Sequence, residues 1–181
     1  MNILILHGIG GKAGIHWQQW LHDELVKAGH NVVMPTLPDA EHPDRKTWLA
    51  EVTRYMSELL PEYTTIVAHS LAVPSALDYI EQSSSPVKSL ISVSGFSHPM
   101  GHELNEYFLQ EKDIDFSRIT DKIIKPFVLF GDDDPYVDQE ELINLAKSLH
   151  VEPIVFHDGG HLNTNSGFTE FPKVLEIIRK L

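Results

Sequence analysis

Six short apolar runs, each separated from the next by a stretch whose apolar residues recur at helical spacing, constrain the fold of this chain more than any other feature. The first run, Asn2–Leu6 (N-I-L-I-L), is continuously apolar after its asparagine, the pattern of a strand covered on both faces. Val32–Leu37, Thr64–Ala68, Val87–Phe96, Ile124–Phe130 and Val151–Phe156 read as the other strands, with Pro35 limiting the second to an edge or a strand end. Between them, His16 to Ala28 sets Trp17, Trp20, Leu21, Leu25 and Val26 on one helical face, and Gly29 is its stop. Arg45 to Leu60 repeats the pattern with Trp48, Val52, Tyr55, Met56 and Leu59. Leu71–Gln82 follows the third run with Pro74 in its first turn. Leu104, Tyr107 and Phe108 share a face, Leu142, Leu145, Ala146 and Leu149 mark a further helix, and Phe168–Leu181 closes the chain.

Strands alternating with helices of this length make βαβ units. The expected fold is therefore α/β: a three-layer α/β/α sandwich around a parallel sheet of about six strands. With 181 residues and 42% hydrophobic composition, one domain over residues 1–181 is expected. Nothing between Ser97 and Asp121 is long enough for a separate cap.

Charge and composition narrow the function. A net charge of −12 repels nucleic acid and anionic lipid surfaces, so neither is expected as a partner. The absence of cysteine excludes a thiolate nucleophile, a disulfide framework and cysteine-ligated zinc. No segment approaches the roughly 20 apolar residues of a membrane span, and Met1–Leu6 lacks a basic leader. A cytoplasmic location is the expectation.

In a parallel sheet, function gathers at the carboxyl ends of the strands. Four of these ends carry chemistry-bearing residues: His7-Gly8, Ser70, Asp134 and His161. In T-T-I-V-A-H-S-L-A a strand stops at Ser70 and turns directly into a helix, with a small residue, Ala68 or Ala72, two places to either side. A plainer role for Ser70 is as N-cap of that helix. Ser70, Asp134 and His161 supply what an acyl transfer needs: a nucleophile, a carboxylate to hold the base in the correct tautomer, and an imidazole to take the proton. The N–H groups of Leu71 and Ile9 are placed to bind an oxyanion.

Neighbouring residues have competing readings. Asp132 and Asp133 have the composition of caps for the next helix, and His69 is better suited to orienting its surroundings than to acting on the serine beside it. His157 and His161 would make a metal pair only on a helix, which the two glycines of H-D-G-G-H oppose, so no metal is expected. Gly8 to Ala13 spells G-x-G-x-x-A after the first strand, a dinucleotide fingerprint. The ribose-binding acid is missing from the end of the second strand, and no cofactor is expected.

H-G-x-x-G, His16-Trp17-Gln18-Gln19-Trp20-Leu21, A-H-S-L-A, G-D-D-D-P-Y-V-D and G-G-H together span nearly the whole chain. In these motifs the sequence resembles the α/β-hydrolase superfamily, and within it the small, lidless retinoblastoma-binding-protein-9-like serine hydrolases. The resemblance implies a minimal α/β-hydrolase fold without a lid domain, and places the triad on Ser70, Asp134 and His161. Alanines stand where both elbow glycines would be, and the pocket-protein-binding L-x-C-x-E signature is absent. The resulting expectation is a serine hydrolase, carboxylesterase-like, cleaving small ester or related acyl substrates through an acyl-enzyme. His7, Trp17, Phe96, Tyr107, Phe108 and Tyr136 are candidates for the substrate pocket. The alternative is a binding module on a hydrolase scaffold, with the triad unused.

Overall fold

A computed structural model of the chain describes residues 1–99 and 103–181, with the backbone alone at 103–105, so the side chain of Leu104 lies outside the described residues. The strands β1 (Asn2–Leu6), β2 (Asn31–Val33), β3 (Thr64–His69), β4 (Val87–Val93), β5 (Ile123–Gly131) and β6 (Ile154–Phe156) form one sheet in the order β2-β1-β3-β4-β5-β6, every pairing parallel. Among the described residues six α-helices complete the three layers: α1 (Gln18–Lys27), α2 (Arg45–Met56), α3 (Ala72–Gln82), α4 (Glu103–Gln110), α5 (Gln139–Ser148) and α6 (Pro172–Arg179). Among the described residues no helix is long and apolar enough to cross a membrane.

The alternation of strand residues between the two faces divides the core. Ile3, Ile5, Val67, Ile91, Val93 and Leu129 pack on one face with Trp17, Leu21 and Leu25 near and along α1 and with Val174 and Ile178 of α6. Leu4, Leu6, Ile66, Ala68, Leu90, Val128 and Phe130 pack on the other with α2, α3 and α5. This two-sided burial explains why the strands read as continuous apolar runs. On the second face, Arg45 is 3% exposed and bonds Asp78 of α3 through Nε (2.7 Å) and Nη2 (3.0 Å). Its Nη1 donates to the carbonyl oxygens of Phe108, Leu109 and Lys112, so one side chain ties α2 and α3 to the end of α4.

The elements occur where the sequence predicts them; β3 and β5 run slightly longer, and several others are shorter for local reasons. The first helix starts at Gln18, two residues late, because His16 has φ +59°, outside the helical region. Val26, expected on its buried face, is 49% exposed. The second strand stops at Val33, before Pro35, and Leu37 N–H donates to His7 Nε2 instead of to a strand. The fourth strand ends at Val93 because Ser94 turns left-handed, φ +47°. The last helix begins at Pro172, whose ring favours the first helical position.

Candidate active site

Successive strands β1 and β2 lie to one side and β3 onward to the other, so the switch point falls between β1 and β3. The loops after these two strands meet there. Ser70 N–H still donates to Val93 O (2.9 Å), after which the chain turns at Ser70 with φ +55°. A left-handed non-glycine residue costs of order 1–3 kcal/mol and persists only where its surroundings over-determine it. Ala68 and Ala72 are both fully buried, and methyl groups at these places leave room for the turn. The helix starts at Ala72 with Leu71 at its N-cap position and no side-chain cap, so Ser70 does not cap it.

Gly8 backs directly onto this turn. A Cβ there would sit 2.9 Å from Ser70 Cβ and 3.1 Å from His69 O, so only glycine allows the approach. Its carbonyl is held by Gly11 N–H (3.2 Å) and by His7 Nδ1 (2.8 Å). Because Leu37 N–H donates to His7 Nε2, the ring proton resides on Nδ1, and the histidine fixes the Gly8–Ile9 peptide. Among the described residues, the N–H groups of Ile9 and Leu71 have no acceptor. His7 is therefore behind the loop, fully buried beside Trp48, and not on a pocket wall.

Asp134 and His161 come together from the ends of β5 and β6. The Asp134 side chain is fully covered; Oδ2 lies 2.8 Å from His161 Nδ1, and Oδ1 accepts from Tyr136 N–H (2.9 Å) and Val137 N–H (3.2 Å). A carboxylate only accepts, so the proton of a neutral His161 sits on Nδ1 and its Nε2 lone pair is free. The other two aspartates do not cap α5. Asp133 accepts from Gly160 N–H (2.6 Å), and Asp132 from Asp158 N–H (3.0 Å) and the His157 ring (2.9 Å), so both brace the loop that carries His161. That loop closes against Gly131, where a Cβ would collide with the Gly160 backbone. Sequence reasoning missed this bracing; the signal was three consecutive acids opposite two glycines. His157 turns to Asp132, away from any pairing with His161, and the exposed Asp132, His157 and Asp158 are accounted for by these bonds.

His69 is buried beneath this pair, its Nε2 donating to His161 O (3.0 Å) and its ring 4.8 Å from that of His161. Burial first, then the neighbouring histidines, holds its pKa well below the ordinary value, so it stays neutral.

Ser70 and His161 open onto one cavity of about 400 Å³, with Phe96, Val137 and Tyr136 as apolar wall. Among the described residues no Lys, Arg, Asp or Glu lines it. Trp17 is off the wall: it is wholly buried against Phe171, with Nε1 donating to Leu162 O (2.9 Å). Phe108 packs on Trp48 and Tyr107 stacks on His42, both away from the cavity. The glycine loop Gly8–Gly11 lies well ahead of α1, which begins at Gln18, so no helix N-terminus meets it as a dinucleotide site requires.

This order of parallel strands, with Ser70 and His161 on one cavity, is the α/β-hydrolase fold, which the chain's structural neighbours share. The chain belongs to the Serine hydrolase family, which matches residues 3–180, and is a hydrolase. It is 28% identical over 181 residues to YdeN of Bacillus subtilis (strain 168), a hydrolase by name, covering 98% of this chain and 94% of YdeN. The crystal structure of the ydeN gene product aligns with a TM-score of 0.91 at 26% identity, over 99% of this chain and 97% of that one. A meta-cleavage product hydrolase from Pseudomonas fluorescens IP01 shares the fold, with a TM-score of 0.70 at 13% identity over 99% and 91% of the two chains.

Proposed function

We propose that the protein is a serine esterase that cleaves small esters or related acyl compounds through an acyl-enzyme. Ser70 Oγ attacks the carbonyl carbon while His161 Nε2 takes its proton, and the same nitrogen returns that proton to the departing alcohol. Asp134 holds His161 in the Nδ1–H tautomer and stabilises the imidazolium. The oxyanion of the tetrahedral intermediate is received by Ile9 and Leu71 N–H. Water, deprotonated by His161, then releases the acid and restores Ser70.

The observation that carries this reading is the left-handed Ser70 set against the free amides of Ile9 and Leu71, on the same cavity as the covered His161–Asp134 pair. The described wall, without Lys, Arg, Asp or Glu, favours neutral, largely apolar acyl groups. A fluorophosphonate probe is expected to label the wild type and to leave Ser70→Ala unlabelled. Equal labelling of both, or of neither, refutes the assignment and leaves a binding module on this scaffold.

A further inference from the structure

The His16-Trp17 pair is not used by the triad, and its two residues have different fates. Trp17 is core. His16 is half-buried and lines the cavity, on a backbone with φ +59°. Its Nδ1 accepts from Thr164 N–H (3.3 Å) and lies 3.0 Å from Thr164 Oγ1. A backbone N–H can only donate, so Nδ1 carries no proton and the ring hydrogen is on Nε2. The ring is held edge-on to His69, 5.7 Å between centroids. Burial, followed by the proximity of His161, lowers its pKa and so favours the neutral ring. Beside it, the Asn163 side chain also lines the cavity; its Oδ1 accepts from Ser166 N–H (3.3 Å), which leaves its NH₂ end as the unused half of the amide.

We propose that His16 is a specificity-determining residue whose Nε2–H, with the Asn163 amide beside it, donates to a second, neutral oxygen of the substrate. Substrates carrying an ether, hydroxyl or keto oxygen near the scissile carbonyl are thereby preferred over plain alkyl esters. Among the described residues the polar part of the wall offers donors without a Lys, Arg, Asp or Glu, which favours a neutral acceptor over a carboxylate or an amine. This inference rests on the esterase reading above.

The test compares kcat/KM for isosteric ester pairs in which one methylene is replaced by oxygen. In one arm the oxygen is in the acyl chain (4-nitrophenyl methoxyacetate against butyrate, 3-methoxypropanoate against pentanoate). In the other it is in the alcohol (2-methoxyethyl against butyl butyrate, followed by acid release). Dividing each ether/alkyl ratio in a variant by the wild-type ratio cancels the intrinsic reactivity of the esters. The ratio is expected to fall about tenfold in His16→Phe in one arm, the worth of one hydrogen bond, and to recover in His16→Gln, which retains a donor. The arm that responds shows whether the oxygen is on the acyl or the alcohol side. A purely structural role for His16 in holding Thr164 would lower turnover of both members of a pair and leave the ratio unchanged. Unchanged ratios in both arms overturn the inference.

If His16→Phe fails to fold, the same question is answered in Ser70→Ala by the ring ¹⁵N–¹H signals. The proton is expected on His16 Nε2, with its resonance moved by an ether ester and not by its alkyl isostere; a proton on Nδ1, or equal shifts, overturns the inference. Failure of the esterase reading is separable, because it appears as the absence of Ser70-dependent turnover of every ester.

Discussion

Replacing His7 with Phe removes a ring that bonds at both nitrogens and keeps an aromatic edge against Trp48. Leu37 N–H loses its acceptor in a buried setting, which costs about 1–3 kcal/mol. Gly8 C=O keeps its bond to Gly11 N–H, so the loss there is smaller. At roughly 2–4 °C per kcal/mol for a chain of this size, Tm is expected to fall by about 2–12 °C. The catalytic effect is separate. The Gly8–Ile9 peptide, left with the Gly11 bond alone on its carbonyl side, is expected to hold Ile9 N–H less steadily toward the proposed oxyanion. Removing one such donor outright costs about 10²–10³ in kcat, so misaligning one is expected to cost roughly 10–100-fold, with KM little changed. Thermal unfolding together with steady-state kinetics on a chromogenic ester measures both. A variant whose Tm falls as calculated while kcat holds would refute the argument that the histidine positions the oxyanion-binding peptide.

Two further outcomes concern stability. Arg45→Met leaves the buried Asp78 carboxylate with Lys112 (3.1 Å) as its remaining cationic partner and is expected to cost up to about 3–5 kcal/mol, whereas Arg45→Met with Asp78→Leu is expected to recover part of it, as read from urea midpoints, the carbonyls of Phe108, Leu109 and Lys112 still lacking their donor. His69 takes up a proton less readily folded than unfolded, where histidine titrates near about 6.5. The unfolded state therefore binds more protons below that pH, and stability, fully present above it, is lost as pH falls. The slope is up to about 1.4 kcal/mol per pH unit for this one group. His69→Gln, which keeps a donor for His161 O without titrating, is expected to flatten unfolding free energy between pH 7 and 5; an unaltered slope would count against burial of His69 as its source.

The sheet, and the strand ends that carry Ser70, Asp134 and His161, were legible because both rest on local patterns: continuous apolar runs for doubly covered strands, and unusual residues where those runs end. The pocket wall was less legible. Helical spacing marks Trp17 and Phe108 as buried without saying against what, and they fill the cores on opposite faces of the sheet, away from the cavity. The bracing by Asp132 and Asp133 depends on pairing the ends of β5 and β6, a register that only the assembled sheet fixes. The place of His16 on the cavity wall was not legible because its left-handed backbone opens a stretch whose composition reads as helix.

The Asp134 carboxylate bonds both His161 and the backbone of Tyr136 and Val137, so the acid and one side of the cavity are a single rigid piece. Two routes to altered selectivity are therefore unequal. On the proposed mechanism, substitutions at 135–137 that reshape the wall are expected also to tilt the carboxylate, trading turnover for every change in preference. Ile15 and Phe96, which line the same cavity from other loops, can vary without touching the acid. Divergence toward new substrates, natural or directed, is accordingly expected to proceed through those two positions first.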